Sequence, residues 1–126
     1  ITIATTGNAA DFGDLTAVRT DTTATGGFTR AICMGGNAPS EIDNMEYVTI
    51  ASTGNVADFG NLTEARSLPT TFAKDTRAFC SGGDPGPSVS NIIDYITIAT
   101  TGNATDFGTM THSTYDHGKH GGCAGG

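Results

Sequence analysis

Near the C-terminus, His112, His117, His120 and Cys123, with Asp116 among them, have the side-chain chemistry of a transition-metal site. Imidazole nitrogen and thiolate sulfur at such spacings can bind Zn²⁺. Yet Cys123 falls at the same distance before a Gly pair as Cys80 and Cys33, and His120 then matches Arg77. These two therefore occupy ordinary strand positions, where neighbouring side chains point to opposite faces, and we expect no metal and no cofactor. A second recurring group is Asp11, Asp58 and Asp106, each three residues after an Asn and followed by Phe-Gly. Asn and Asp oxygens this close could hold Ca²⁺, but calcium takes about six to eight oxygens, and no second acid recurs nearby. A short Asp beside a Gly-Asn turn instead bonds backbone N–H groups and fixes a hairpin. No Ser has a His and an acid in a recognisable motif, and no Gly-Lys-Ser/Thr phosphate loop is present. We expect no enzyme.

These residues recur because the chain repeats. The phrase Ile1 to Gly13 returns at Val48 to Gly60 and at Ile96 to Gly108, so the starts lie 47 and 48 residues apart. A unit of this length is one supersecondary element that cannot bury its own apolar face. The expected organisation is one repeat array, with residues 1–47, 48–95 and a truncated 96–126 as its units. The repeat is cut mid-unit at both ends, which leads us to expect a segment of a longer polypeptide, or closure with a second copy.

Each unit opens on strict alternation, as in Tyr95-Ile-Thr-Ile-Ala-Thr, which places Ile96 and Ile98 on one face and Thr97 on the other. Thr-Gly-Asn follows as a turn signal. A second strand runs through Asp-Phe-Gly, a third lies around Thr22–Ala24 and Thr70–Ala73, and a fourth, Thr29–Cys33 or Thr76–Cys80, stops at a Gly pair. Phe12, Phe59 and Phe107, once per unit, are expected to pack between units. Arg19, Arg66, Arg30 and Arg77 are expected to tie neighbouring units by bonding carbonyls or carboxylates. Anion binding in a central channel is the alternative reading of these arginines.

Composition narrows the partners. Charged residues are 15% of the chain, hydrophobic residues 37%, and Gly numbers 18, an all-β balance with many tight turns. A net charge of -7, with six scattered Lys and Arg, lacks the basic patch that nucleic-acid phosphates require. No apolar run reaches the length of about 18 residues that would suggest membrane insertion. Three cysteines at equivalent positions of stacked sheets are too far apart to bridge, so Cys33, Cys80 and Cys123 are expected to be small hydrophobes with free thiols.

A four-stranded unit with a Gly pair closing the second strand (Gly35-Gly36, Gly82-Gly83, Gly125-Gly126), an aromatic in the fourth (Phe12, Phe59, Phe107) and an Arg soon after resembles the kelch repeat. It departs from that pattern in having no Trp, where kelch blades usually carry one in the fourth strand, and in lacking the usual Tyr before it. The resemblance implies an all-β, kelch-like β-propeller of about three blades, an incomplete ring, since a propeller closes with about four to eight. The wording of the repeat looks more specifically like kelch-like arrays in tail-fibre and other structural proteins of marine phages. That likeness implies a virion or extracellular location and a non-enzymatic structural or adhesive role. Its partners would be copies of itself, other virion subunits, or a host-surface glycan or protein.

The segments that differ most between copies are Asn37-Ala-Pro-Ser-Glu41 and Asp84-Pro-Gly-Pro-Ser88, where proline excludes a central strand. They are expected to gather on one face as binding loops, with Asn37, Pro39, Glu41, Asp84, Pro85, Pro87 and Ser88 as contacts and the polar run 19–27 beside them. A cellular kelch-type interaction scaffold and a propeller enzyme are the competing readings.

Overall fold

The computed structural model describes residue 4 and residues 6–112, and every regular element in them is a β-strand. The first sheet is built from β1 (Thr23–Gly26), β2 (Arg30–Met34), β3 (Asn44–Thr49) and β4 (Ala57–Asn61). The second is built from β5 (Thr70–Lys74), β6 (Arg77–Ser81), β7 (Ile92–Thr97) and β8 (Thr105–Thr109). Both are antiparallel meanders in chain order. Among the described residues the chain is all-β with two four-stranded sheets, as the alternation leads one to expect. None of its helices, there being none among the described residues, is long and apolar enough to cross a membrane.

The sheets straddle the sequence repeat. Each takes its first two strands from one unit, a third that crosses the unit boundary (β3 or β7), and its fourth from the next unit, so the Gly pair closes the second strand and Phe59 or Phe107 sits in the fourth. The predicted alternation is present: Ile96 and Ile98 are buried and Thr97 is exposed. The turn assignment needs correction. The chain reverses at Thr49–Ser52 and Thr97–Thr100, where Ser52 N donates to Thr49 O and Thr100 N to Thr97 O. Gly54-Asn55 and Gly102-Asn103 come later, on the returning segment, and their groups are used on the neighbouring repeat. The first Asp-Phe-Gly copy also departs from expectation, because residues 6–15 carry no strand.

The core is shared between the sheets. Ile32, Met34, Met45 and Phe59 from the first sheet form one buried cluster with Ala78, Cys80, Ile96 and Ile98 from the second. The first strands also meet, Thr23 Oγ1 lying 2.9 Å from Thr71 Oγ1, while Thr71 Oγ1 donates to Ala24 O at 3.2 Å. Phe59 is 2% exposed and meets Tyr47 edge to face, with centroids 5.8 Å apart. Its copies differ sharply: Phe12 is 39% exposed and Phe107 57%. Only Phe59, which lies in one sheet and is covered by the other, fulfils the expected packing role.

Phe59→Ala should therefore lower stability by about 3–5 kcal/mol in urea denaturation, because it empties a site closed on both sides. Phe107→Ala should cost only about 1 kcal/mol, the worth of its ring contacts with Phe79 and Tyr95. Equal losses at the two positions would contradict the shared core.

Candidate binding face and the residues that hold it

The two loops of differing sequence leave their sheets after β2 and β6, at the Gly pairs. Gly35 and Gly36 have φ of 61° and 117°, and Gly82 and Gly83 have 63° and 100°, values that glycine adopts without strain. Beyond them, Asn37 pairs back to Thr20 and to Glu41, and Ser67 pairs with Asp84. Asn37 Nδ2 donates to Glu41 Oε1 at 3.4 Å, and Gly86 N donates to Asp84 Oδ1 at 2.8 Å. Pro39, Pro87 and Ser88 are exposed; Asn37, Glu41, Asp84 and Pro85 are half-buried. The loops lie side by side, since a Cβ built on Gly86 would stand 3.8 Å from Glu41 Oε2.

Of the polar run 19–27, the exposed Thr20 lies beside the first loop, its backbone paired with that of Asn37. Arg19 is buried, and Thr23–Gly26 is β1, whose register places it against β2. What the arginines do is hold the sheets. Arg66, in the segment after β4, has no exposed surface; its Nη2 lies 2.6 Å from Asp94 Oδ2 in β7. Arg66 Nη1 donates to Gly82 O at 3.1 Å and to Ile92 O at 3.2 Å, and Nε donates to Glu64 O at 3.4 Å. Thr63 completes the carboxylate's partners, donating from Oγ1 to Asp94 Oδ1 at 2.6 Å and from N to Asp94 Oδ2 at 3.1 Å. The first sheet repeats the arrangement with Arg19 paired to Glu46, Thr16 donating to Glu46, and Arg19 Nη2 donating to Asn44 Oδ1 at 3.2 Å.

Arg30 and Arg77 lie over the rings of Tyr47 and Tyr95, at 4.3 and 4.7 Å from the centroids, and Arg30 Nη1 crosses to Ile98 O of the other sheet at 3.0 Å. The expected tie between units is thus seen for Arg30, whereas the Arg19 and Arg66 side chains bond within their own units, 1–47 and 48–95. Arg19 and Arg66 are engaged by carboxylates and carbonyls, which removes the anion-binding alternative for them. Sequence reasoning missed Glu46, Asp94, Thr16 and Thr63. A signal was present in Thr-x-x-Arg, which recurs at Thr16–Arg19 and Thr63–Arg66.

The aspartates of Asp-Phe-Gly are structural in two copies: Gly13 N donates to Asp11 Oδ1 at 3.1 Å and Gly108 N to Asp106 Oδ1 at 2.8 Å. Asp58 instead accepts from Asn44 Nδ2 at 3.5 Å. His112 is exposed, with Thr111 Oγ1 3.4 Å from its Nδ1. His117, His120 and Cys123 lie outside the described residues. Among the described residues, no three His, Cys, Asp or Glu side chains converge on a metal position. A cavity of about 330 Å³ runs along the β7–β8 hairpin from Phe59 to Thr105, and its lining holds no acid, amine or imidazole.

Cys33 and Cys80 are free thiols, Cys80 buried and Cys33 half-buried. Burial pushes the Cys80 thiol up to about 12, with nearby Arg66 opposing and Asp94 adding to the rise. Cys33 is raised for the same leading reason, Arg19 opposing and Glu46 adding. No protein-family model matches the chain, and no curated protein matches it.

Two outcomes follow from this geometry. Arg66→Met should cost about 3–5 kcal/mol, because Asp94 is left buried without its cation. Adding Asp94→Leu should recover part of that, the carbonyls of Gly82 and Ile92 still lacking a donor, while Arg66→Lys should not rescue, since one ammonium cannot reach carboxylate and carbonyls together. Full additivity of the two single losses would rule out the pair as described. Cys80 gives a pH dependence. Below its ordinary value of 9.0, folded and unfolded chains both keep the proton; from there toward about 12 only the unfolded chain releases it, so stability falls as pH rises. Urea denaturation at about pH 8 and about pH 10 should show a smaller alkaline loss for Cys80→Ala than for the wild type.

Proposed function

We propose that this chain is a segment of a kelch-like β-propeller that serves as a non-enzymatic structural or adhesive part of a virion, such as a phage tail fibre. Each four-stranded sheet is then one blade. The blade order supports this reading: the first strands of the two sheets adjoin through Thr23 and Thr71, the Gly pair closes each second strand, and a Phe occupies each fourth. The role is display. A stiff frame carries short loops whose composition can change without disturbing it.

The observation that carries the reading is the adjacency of the two differing loops. Residues 37–41 and 84–88 emerge at equivalent places and meet at Glu41 and Gly86, while the parts of the repeat that stay constant are spent on backbone contacts inside the frame. Variation confined to one face suits binding to a host-surface glycan or protein, or to a neighbouring subunit. The prolines keep these loops pre-shaped, which lowers the ordering cost on binding.

Antibody fragments raised against residues 37–41 and 84–88 test this directly. They should decorate intact particles and block their adsorption to host cells, while fragments against the opposite hairpin ends leave adsorption unchanged. Fragments that bind only a cellular complex, and no particle, would replace the virion reading with a cellular interaction scaffold.

A further inference from the structure

The cavity of about 330 Å³ at the β7–β8 hairpin has an apolar side and a polar side. Phe59, Ile96 and Tyr95 make the first; Phe59 and Ile96 are buried and Tyr95 is half-buried. Thr97, Thr100, Thr101, Thr105 and Asn103 make the second, all of them exposed. The four Thr hydroxyls have no hydrogen-bond partner among the described residues. Asn103 Oδ1 accepts from Asn61 N at 3.1 Å, which leaves the N–H donors of its Nδ2.

The polar side is held in shape before anything binds. Gly102 N donates to Phe59 O at 2.7 Å, Ala104 N to Asn61 O at 2.8 Å, and Thr100 N to Thr97 O at 3.1 Å. A Cβ on Gly60 would collide with the Gly102 carbonyl, so the hairpin lies directly against β4 of the first sheet. The unbonded hydroxyls are thus carried on a backbone fixed from both sheets, and a ligand meets them without first ordering the segment.

The lining decides the class of ligand. A charged group would leave water for a wall that holds no counter-ion. A purely apolar one would cover the polar side chains and satisfy none of them. A Thr hydroxyl both donates and accepts, so four of them suit a ligand whose own groups do the same. A pyranose ring offers that, with hydroxyls around its rim and a face of C–H groups to lie on the apolar side. The volume is at the low end of the range of about 300–1,000 Å³ typical of small-molecule sites, which suits one sugar residue.

We propose that the β7–β8 hairpin cavity binds one neutral, polyhydroxylated sugar residue. The hairpin stands at the end of the second sheet opposite the loop that follows β6, so this site is separate from the loop face. The inference does not rest on what the loops bind, and a loss of sugar binding and a loss of adsorption are separate results.

Two-dimensional NMR titration of the chain tests it. The probes are the methyl glycosides of glucose, galactose, mannose and N-acetylglucosamine, with glucuronic acid, glucosamine and cyclohexanol for comparison. At least one neutral glycoside should shift the amides of Thr100, Thr101 and Asn103 saturably, with a Kd of about 1 mM. Thr100→Val and Thr101→Val keep the side-chain shape at exposed positions and leave the fold intact. Each should weaken that binding about fivefold through one lost hydrogen bond. Thr53→Val, the change equivalent to Thr101→Val at the first hairpin, should leave it unchanged, because Phe12 there is 39% exposed and closes no floor. Equal binding of a trisaccharide ending in the preferred sugar would identify a glycan terminus as the source; binding of the methyl glycoside alone would identify the free sugar. The proposal is overturned if no neutral glycoside gives saturable shifts, or if glucuronic acid, glucosamine or cyclohexanol binds more tightly. It is also overturned if Thr100→Val and Thr101→Val both bind as the wild type does, or if Thr53→Val loses as much as they do.

Discussion

Arg66 is a charged side chain with no access to water, and the placement of the second sheet depends on it. A guanidinium is expensive to bury and tolerates burial only when its donors find acceptors. Here the carboxylate of Asp94 takes one end of the fork, and the carbonyls of Gly82, Ile92 and Glu64 take the rest. Those acceptors come from the end of β6, from β7, and from the segment following β4. Their positions must be right together or the charge is stranded, so the pair fixes the relation of one sheet to the next more than it adds net stability. The β-bulge between Ile93 and Asp94 belongs to this arrangement, as does its counterpart between Met45 and Glu46. In each the extra residue is the Phe of the fourth strand, Phe59 or Phe107, left unpaired opposite the step into the buried acid.

The Phe-Gly backbone solves the complementary problem at the outer edge. Two sheets side by side leave the backbone groups of a fourth strand unpaired unless the neighbour approaches within hydrogen-bonding range. At Gly60 the missing side chain is what lets the Gly102 peptide come that close, and Asn103 then reaches across to the next N–H with its side-chain oxygen. Arginine within and glycine without thus hold each sheet at both margins, and the apolar cluster fills the space between. The same economy accounts for the thiols. Cys80 is a small apolar filler beside the Arg66–Asp94 pair, and its burial, not a redox role, governs its acidity.

The fold was legible in the sequence to the extent that local rules set it. Alternation at Ile96, Thr97 and Ile98 marks a strand with one buried face, and the Gly pairs mark where the second strand must stop. Proline at 39, 85 and 87 marks segments outside the ladder. The reversal at Thr49–Ser52 was hidden because its residues carry no turn signature, while the Gly-Asn that does carry one is used for an inter-repeat contact. The partners of the arginines were hidden for a different reason. Asp94 lies 28 residues beyond Arg66, and its counterpart beside Arg19 is a glutamate, so neither spacing nor identity repeats strictly. Long-range pairing of this kind is set by sheet register and bulge position, which a linear pattern does not encode.

Identical residues in a repeat need not have identical environments, and this bears on how function is distributed along the chain. Phe12, Phe59 and Phe107 share one local sequence, yet only Phe59 is enclosed, because it alone lies in one sheet with a second sheet packed beside it. The constant parts of the repeat specify how a sheet meets its neighbours, and every such meeting consumes the same atoms. They are therefore unavailable to vary for recognition of anything else. The loops after the Gly pairs are under less demand: their first residues, Asn37 and Asp84, are anchored by backbone bonds to Thr20 and Ser67, and beyond these Ala38 N donates to Ser40 O and Gly86 N to Asp84 Oδ1 within the loops. A frame so dependent on repeated backbone contacts can change what it presents only there, and the divergence of 37–41 from 84–88 follows from that physical freedom.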